Sequence, residues 1–125
     1  MADSPTPNRC PVDYTLGMVG GKWKTVILFR LSSGTLRFGQ LQRIIPEVTQ
    51  RMLTLHLREL ERDGLVKRTV YPEVPPRVEY ALTEPARRLM PILDALASWE
   101  RENRDELREL SACADAGSEG ETASA

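Results

Sequence analysis

The fold class that this sequence predicts is a small, mostly helical domain carrying one β-hairpin, and three observations predict it. Apolar residues recur at helical spacing from Trp23 to Leu31, from Leu53 to Leu60 and from Leu89 to Trp99. Alternation takes over in two short runs, Leu65 to Tyr71 and Arg77 to Leu82. Pro72, Pro75 and Pro76 lie between those runs, where they stiffen a hairpin tip and block further strand pairing.

Each element follows from local signals. Pro11 suits a first helical turn, and Gly20-Gly21 ends a short helix over Pro11 to Val19. A second helix is expected over Lys22 to Leu31, stopped by Ser32-Ser33-Gly34, with a short strand at Thr35 to Arg37. A third helix covers Phe38 to Ile44 and is broken by Pro46. Thr49 is a good N-cap for a fourth helix, Gln50 to Asp63, which Gly64 closes. After the hairpin, Thr83 caps a long last helix with Pro85 in its first turn. Pro91 is expected to kink that helix or shift its start. Helices, then a hairpin, then a helix is the order of a winged helix-turn-helix.

The 125 residues fit one domain with a modest core. Residues 1–9 read as a flexible N-terminal arm, 10–110 as the folded domain with a C-terminal dimerisation helix, and 111–125 as a disordered acidic tail. No apolar run reaches the length of a membrane span, and the N-terminus has no apolar stretch of a secretory signal. The expected location is the cytoplasm. The two cysteines, Cys10 and Cys113, and the single histidine, His56, have no metal-ligand spacing, so no cofactor or metal is expected. No phosphate-cradling glycine loop, nucleophile motif or paired carboxylates speak for an enzyme.

Charge is unevenly placed. The formal net charge is −1, yet residues 22–80 hold eleven Lys/Arg against six Asp/Glu, and residues 81–125 hold five against ten. A basic centre joined to an acidic end fits either a nucleic-acid surface or a solvated shell with uneven charges.

The fourth helix concentrates the basic character. At about 100° per residue, Leu53, Leu57 and Leu60 form one apolar stripe. Arg51, Leu55, Arg58 and Arg62 fall opposite, with Gln50 and Thr54 on the shoulder and His56 turned toward the core. A helix fits the major groove, where arginine forks onto guanine and glutamine onto adenine. Residues nearest the helix start reach bases, which favours Gln50, Arg51, Thr54 and Leu55; Arg58 and Arg62 suit phosphates. The competing reading is a solvated face paired to Glu59, Glu61 and Asp63. Lys67 and Arg68 on the first hairpin strand, and Arg77 near its tip, favour DNA, because a wing presents such cations to phosphates.

Two segments resemble a known family: CPVDYTLGMVGGKWKTVILFRL, and LRFGQLQRIIPEVTQRMLTLHLRELERDGLVKRTVYPEVPPRVEYALTE. They are similar to the HxlR-type winged-helix regulators, relatives of the MarR group, over about residues 10–100. The Cys-Pro at the first helix, the GGKW turn, the recognition helix running into Asp-Gly-Leu and the Tyr-Pro-Glu-Val-Pro-Pro wing carry the match. The resemblance implies a homodimer, binding to double-stranded DNA at a pseudo-palindromic operator, and transcriptional control, chiefly repression. It also implies a signal, because some members sense oxidants or electrophiles through the cysteine that Cys10 matches. Leu55 departs from the pattern, which has a polar residue, often Gln, there; an apolar contact to a thymine methyl suits it.

Other residues have plainer readings. Trp23 is expected in the core, and His56 in the core or at its rim. Cys113 is expected to be incidental in the tail. Cys10 is either a reactive thiol, favoured by a helix start and by Arg9, Lys22 or Lys24, or a quiet small residue. The last helix shows Leu89, Ile92, Leu93, Leu96 and Trp99, and the first shows Val12 and Leu16, as candidate dimer contacts. The functional alternative is a winged-helix module that binds protein and has lost DNA binding.

Overall fold

The computed structural model describes residues 10–120; the expected N-terminal arm over residues 1–9 lies outside the described residues. The chain divides after Met90 into two units, Met1–Met90 and Pro91–Ala125. The first unit holds α1 (Pro11–Val19), α2 (Lys24–Leu31), β1 (Leu36–Arg37), α3 (Phe38–Ile44), α4 (Gln50–Arg62), β2 (Val66–Tyr71) and β3 (Arg77–Leu82). The last helix, α5 (Glu84–Gly120), begins in the first unit and forms the second.

The helices pack because their apolar stripes meet. Ile27 and Leu28 of α2, Leu41 of α3, Ile45 just after it, and Leu53, Leu57 and Leu60 of α4 are the largest fully enclosed side chains. This is the stripe that the periodicity of α4 predicts, and the opposite face of α4 is left to solvent.

α4 is delimited at both ends by local chemistry. The Thr49 hydroxyl accepts from the Met52 amide at 3.1 Å. At the other end Gly64 adopts φ 84°, a left-handed conformation that a Cβ would strain. The Leu65 amide then donates to the Leu60 carbonyl at 2.9 Å and the Gly64 amide to Glu61 at 3.1 Å. These two bonds satisfy carbonyls that the helix end would otherwise orphan.

The hairpin is antiparallel, and the short strand joins it to make a three-stranded sheet ordered β1-β3-β2. Val66 lies opposite Leu82, Arg68 opposite Tyr80, and Tyr71 opposite Arg77. At its base Val66, Leu82 and Tyr80 are buried, whereas toward the tip Val70 is exposed. Thr83 ties the sheet to α4 and α5 together. Its hydroxyl donates to the Gly64 carbonyl at 2.7 Å and accepts from the Ala86 amide at 3.3 Å.

Several boundaries differ from expectation: β1 begins at Leu36, α4 ends at Arg62 and β2 begins at Val66, each one residue inside the expected range. α2 begins at Lys24 rather than Lys22, because Gly21 at φ 94° turns the chain and the first helical bond runs from the Ile27 amide to the Trp23 carbonyl. α5 runs through Pro91 with its start unshifted, and the division between the two units falls at that proline. The tail expected to be disordered from residue 111 is instead helical as far as Gly120. Three alanines, Ala112, Ala114 and Ala116, favour the helix, and the segment continues one already formed. Residues 121–125 lie outside the described residues.

Candidate nucleic-acid interface

The exposed side of α4 is a shallow groove of about 750 Å3, lined by Thr49, Gln50, Arg51, Met52, Thr54, Leu55 and Arg58. The Thr49 cap fixes where α4 begins, and the apolar stripe beneath anchors the helix. Gln50, Arg51, Leu55, Arg58 and Arg62 are exposed, and Thr54 is half-buried. The Thr54 hydroxyl donates to the Gln50 carbonyl at 2.9 Å, which leaves its lone pairs free to accept. Arg51 and Arg58 make no ion pair among the described residues, whereas Arg62 lies 3.4 Å from the Asp63 carboxylate. The competing picture of a face neutralised by its own acids therefore holds only at Arg62.

Glu59, one of those acids, is turned inward. Its carboxylate sits 3.0 Å from Nζ of Lys24, whose residue is 7% exposed and is the buried charged group among the described residues. The hydrogen bond from Lys24 holds the Glu59 carboxyl below the usual 4.5, against a smaller opposing effect of desolvation. His56 approaches the same oxygen at 3.8 Å, and its Nδ1 is enclosed without a hydrogen-bond partner. The ion pair fastens the recognition helix to α2. Lys24, a candidate neighbour for Cys10 in the sequence, is instead committed to this pair.

The wing divides its cations into two kinds. Lys67 and Arg68 are exposed and unpaired among the described residues. Arg77 is not free as expected: it lies 3.3 Å from Glu73 and 3.7 Å from Glu79, and its guanidinium stacks on Tyr71 at 4.1 Å. The hairpin register puts Arg77 opposite Tyr71, so it braces the wing and its charge is largely answered there. Met52 was not among the sequence candidates for base or phosphate contact, whereas Arg68 was, as a cation of the wing. Met52 lies off the wheel position of the basic face, and the fold adds to Arg68 that it lines one cleft with Arg58 of α4.

Cys10 is exposed at the N-cap of α1, and Cys113 is exposed in α5. Trp23 is half-buried rather than central. Of the candidate dimer contacts, Val12, Leu16, Ile92, Leu96 and Trp99 are exposed, Leu89 is half-buried, and Leu93 is only 6% exposed. Leu93 lies on the buried stripe of α5 with Ala86 and Met90, unlike the exposed Ile92, Leu96 and Trp99. Among the described residues no cluster of potential metal ligands occurs, and no helix is long and apolar enough to cross a membrane.

A basic helix face set beside a β-hairpin on a small helical core defines a winged helix-turn-helix. Residues 18–108 match the family described as HxlR-like helix-turn-helix. The chain belongs to that family of transcriptional regulators. It is 52% identical over 103 residues to the uncharacterised HTH-type transcriptional regulator YybR of Bacillus subtilis (strain 168), covering 82% of each chain. A regulator from Methanothermobacter thermautotrophicus is 57% identical over 90 residues, which cover 72% of this chain and 69% of that one. Among solved structures, the redox regulator HypR in its reduced form superposes with a TM-score of 0.74 at 51% identity, covering 80% of this chain and 99% of that one. The reduced form of the transcriptional regulator YodB from B. subtilis gives 0.68 at 33% identity, covering 74% and 91%.

Proposed function

We propose that this protein is a homodimeric, sequence-specific DNA-binding repressor that sets α4 in the major groove of a pseudo-palindromic operator. The observation that carries this reading is the start of α4, where Arg51 and Arg58 stand exposed and unpaired around a groove with Gln50, Thr54 and Leu55. Arg51 and Gln50 are the base readers, Leu55 and Met52 offer apolar contact to thymine methyls, and Arg58, Arg62 and Lys67 meet phosphates. Work on DNA assigns it to the cytoplasm. A two-fold dimer would present two such helices to half-sites about 10 bp, or a multiple of it, apart. A module that has lost DNA binding would have no need of unpaired arginines on this face.

The test is a titration of duplex from upstream of the protein's own gene. Arg51→Ala is expected to weaken binding by about 1–3 kcal/mol and to relax preference at one operator position. Wild-type binding unchanged by that substitution would remove Arg51 from the base readers.

The reading extends to a signal. Cys10 is exposed at a helix start, and relatives of this chain include a redox regulator known in reduced and oxidised forms. An oxidant would take two electrons and two protons from Cys10 and a second thiol as a disulfide forms; an electrophile would alkylate the thiolate. Either change beside the partner subunit would alter the spacing of the two recognition helices. Diamide is expected to release wild type, but not Cys10→Ser, from DNA, with recovery in a thiol reductant. Equal insensitivity of both proteins would reject the switch.

A further inference from the structure

A second, narrower cleft of about 320 Å3 lies between α4 and the wing, lined by Thr54, Arg58, Glu61, Arg68 and Tyr80. Arg58 comes from the recognition helix; Arg68 of β2 and Tyr80 of β3 face each other across the hairpin. Arg58 and Arg68 are both exposed, and neither has an ion-pair partner among the described residues. Against two guanidiniums the lining offers one carboxylate, so the cleft is net positive.

Tyr80 supplies an independent sign of a ligand. The residue is only 8% exposed, yet its hydroxyl has no hydrogen-bond partner among the described residues and is not among the atoms sealed from solvent. The hydroxyl of this largely buried tyrosine is left to the solvent of the cleft, and tyrosines with a buried ring ordinarily give that hydroxyl an acceptor. The cleft that Tyr80 lines is where that acceptor can enter.

We propose that this cleft binds a single DNA backbone phosphate, held by Arg58 and Arg68 together, with the Tyr80 hydroxyl donating to one of its oxygens. Guanidinium forks match phosphate oxygens in pairs, and a phenol adds a neutral donor from below. The inference rests on the DNA-binding reading. It adds Tyr80 to the interface, and it makes helix and wing, through Arg58 and Arg68, share one phosphate rather than hold two. Sharing would fix the angle of the wing to the recognition helix when DNA is bound. Inorganic phosphate has the same chemistry, so the test separates the two sources.

The experiment measures affinity for the upstream duplex across a range of salt concentrations. It compares wild type with Arg58→Ala, Arg68→Ala, the double variant, Tyr80→Phe and, as a control, Arg51→Ala. Each single arginine loss is expected to weaken binding roughly tenfold, and the double loss by clearly less than the product of the two. The slope of log K against log salt is expected to fall by about 1 in the double variant. A product of the single effects, with a slope change of about 2, would mean two phosphates and overturn the proposal. Tyr80→Phe keeps the ring and should weaken binding a few-fold with the slope unaltered; wild-type affinity would overturn the tyrosine's part. If Arg51→Ala weakens binding while the cleft variants bind as wild type, the cleft assignment fails and the DNA reading stands. If wild type binds no duplex, the DNA reading itself fails. Inorganic phosphate at matched ionic strength should compete no better than chloride. Selective competition that the double variant abolishes would reassign the cleft to a free anion.

Discussion

Lys24 and Glu59 lie on different helices, and their contact at 3.0 Å is the charged link between α2 and the recognition helix. Neither residue stands out in the sequence: Lys24 reads as one cation in a basic centre, and Glu59 as one acid on a helix face. Their meeting follows from packing α4 on α2, and burial makes it matter, because a cation taken out of water needs its partner. Glu59→Gln is expected to lower stability by about 1–3 kcal/mol at neutral pH. The sign with pH follows from the lowered Glu59 carboxyl. Its contribution is complete above the unfolded value near 4.5 and is lost as pH falls through the lower folded value. Denaturant unfolding of wild type and Glu59→Gln at neutral pH and at about pH 3 checks this, since the difference should shrink in acid. An equal difference at both would show that the charge of Glu59 is not its source. Arg77 is a second residue whose role changed on folding. Its acids Glu73 and Glu79, and the ring of Tyr71, assemble only when the hairpin closes.

At the scale of the element, α4 was the most legible part of the chain. Its apolar stripe, its Thr49 cap and its Gly64 stop are written within the helix and one residue either side. Gly64 does more than end the helix, since its carbonyl also accepts from Thr83 at the start of α5. Gly64→Ala is expected to cost about 1 kcal/mol or more because alanine resists a positive φ, with Gly64→Asn costing less. Thermal unfolding should rank the three proteins Gly, Asn, Ala from most to least stable; an alanine variant as stable as wild type would mean that the turn relaxes. Thr49→Ala should lose about 1 kcal/mol by the same measurement. The end of α5 has the composition of a loose tail, yet it is helical as far as Gly120. Helix propagation depends on what precedes a segment. Residues that follow an established helix, here reinforced by the Glu100–Arg104 pair one turn apart, can extend it at little cost.

At the scale of the whole molecule, exposed apolar faces stand out on α1 and α5. Ile92, Leu96 and Trp99 stand exposed on α5, Trp99 at 56%, and Leu107 and Leu110 repeat the spacing of Leu96 and Trp99 further along the helix. Eleven-residue spacing stays on one face of a nearly straight helix, so the stripe continues instead of winding away. Val12 and Leu16 are exposed on α1. A row of this kind marks an interaction surface, and a second copy of the chain is the occupant that the proposed pseudo-palindromic operator would call for. Leu96→Lys is expected to shift sedimentation at micromolar concentration toward the monomer and to weaken operator binding with it. A wild-type monomer under those conditions would end the dimer reading.

By itself the sequence determined the order of helices and wing, the core stripe of α4, and the outward position of Gln50, Arg51, Leu55 and Arg58. Those features depend on periodicity, caps and turn residues, which act over a few neighbours in the chain. Only the tertiary structure decided that Glu59 faces Lys24 and not an arginine on its own helix, that Leu93 is buried while Leu96 is exposed, and that Arg77 is held by two acids. It alone brought Arg58, Arg68 and Tyr80 to one cleft. Each of these depends on where a second element lies, and residues distant in sequence become neighbours only through the packing of the apolar faces between them.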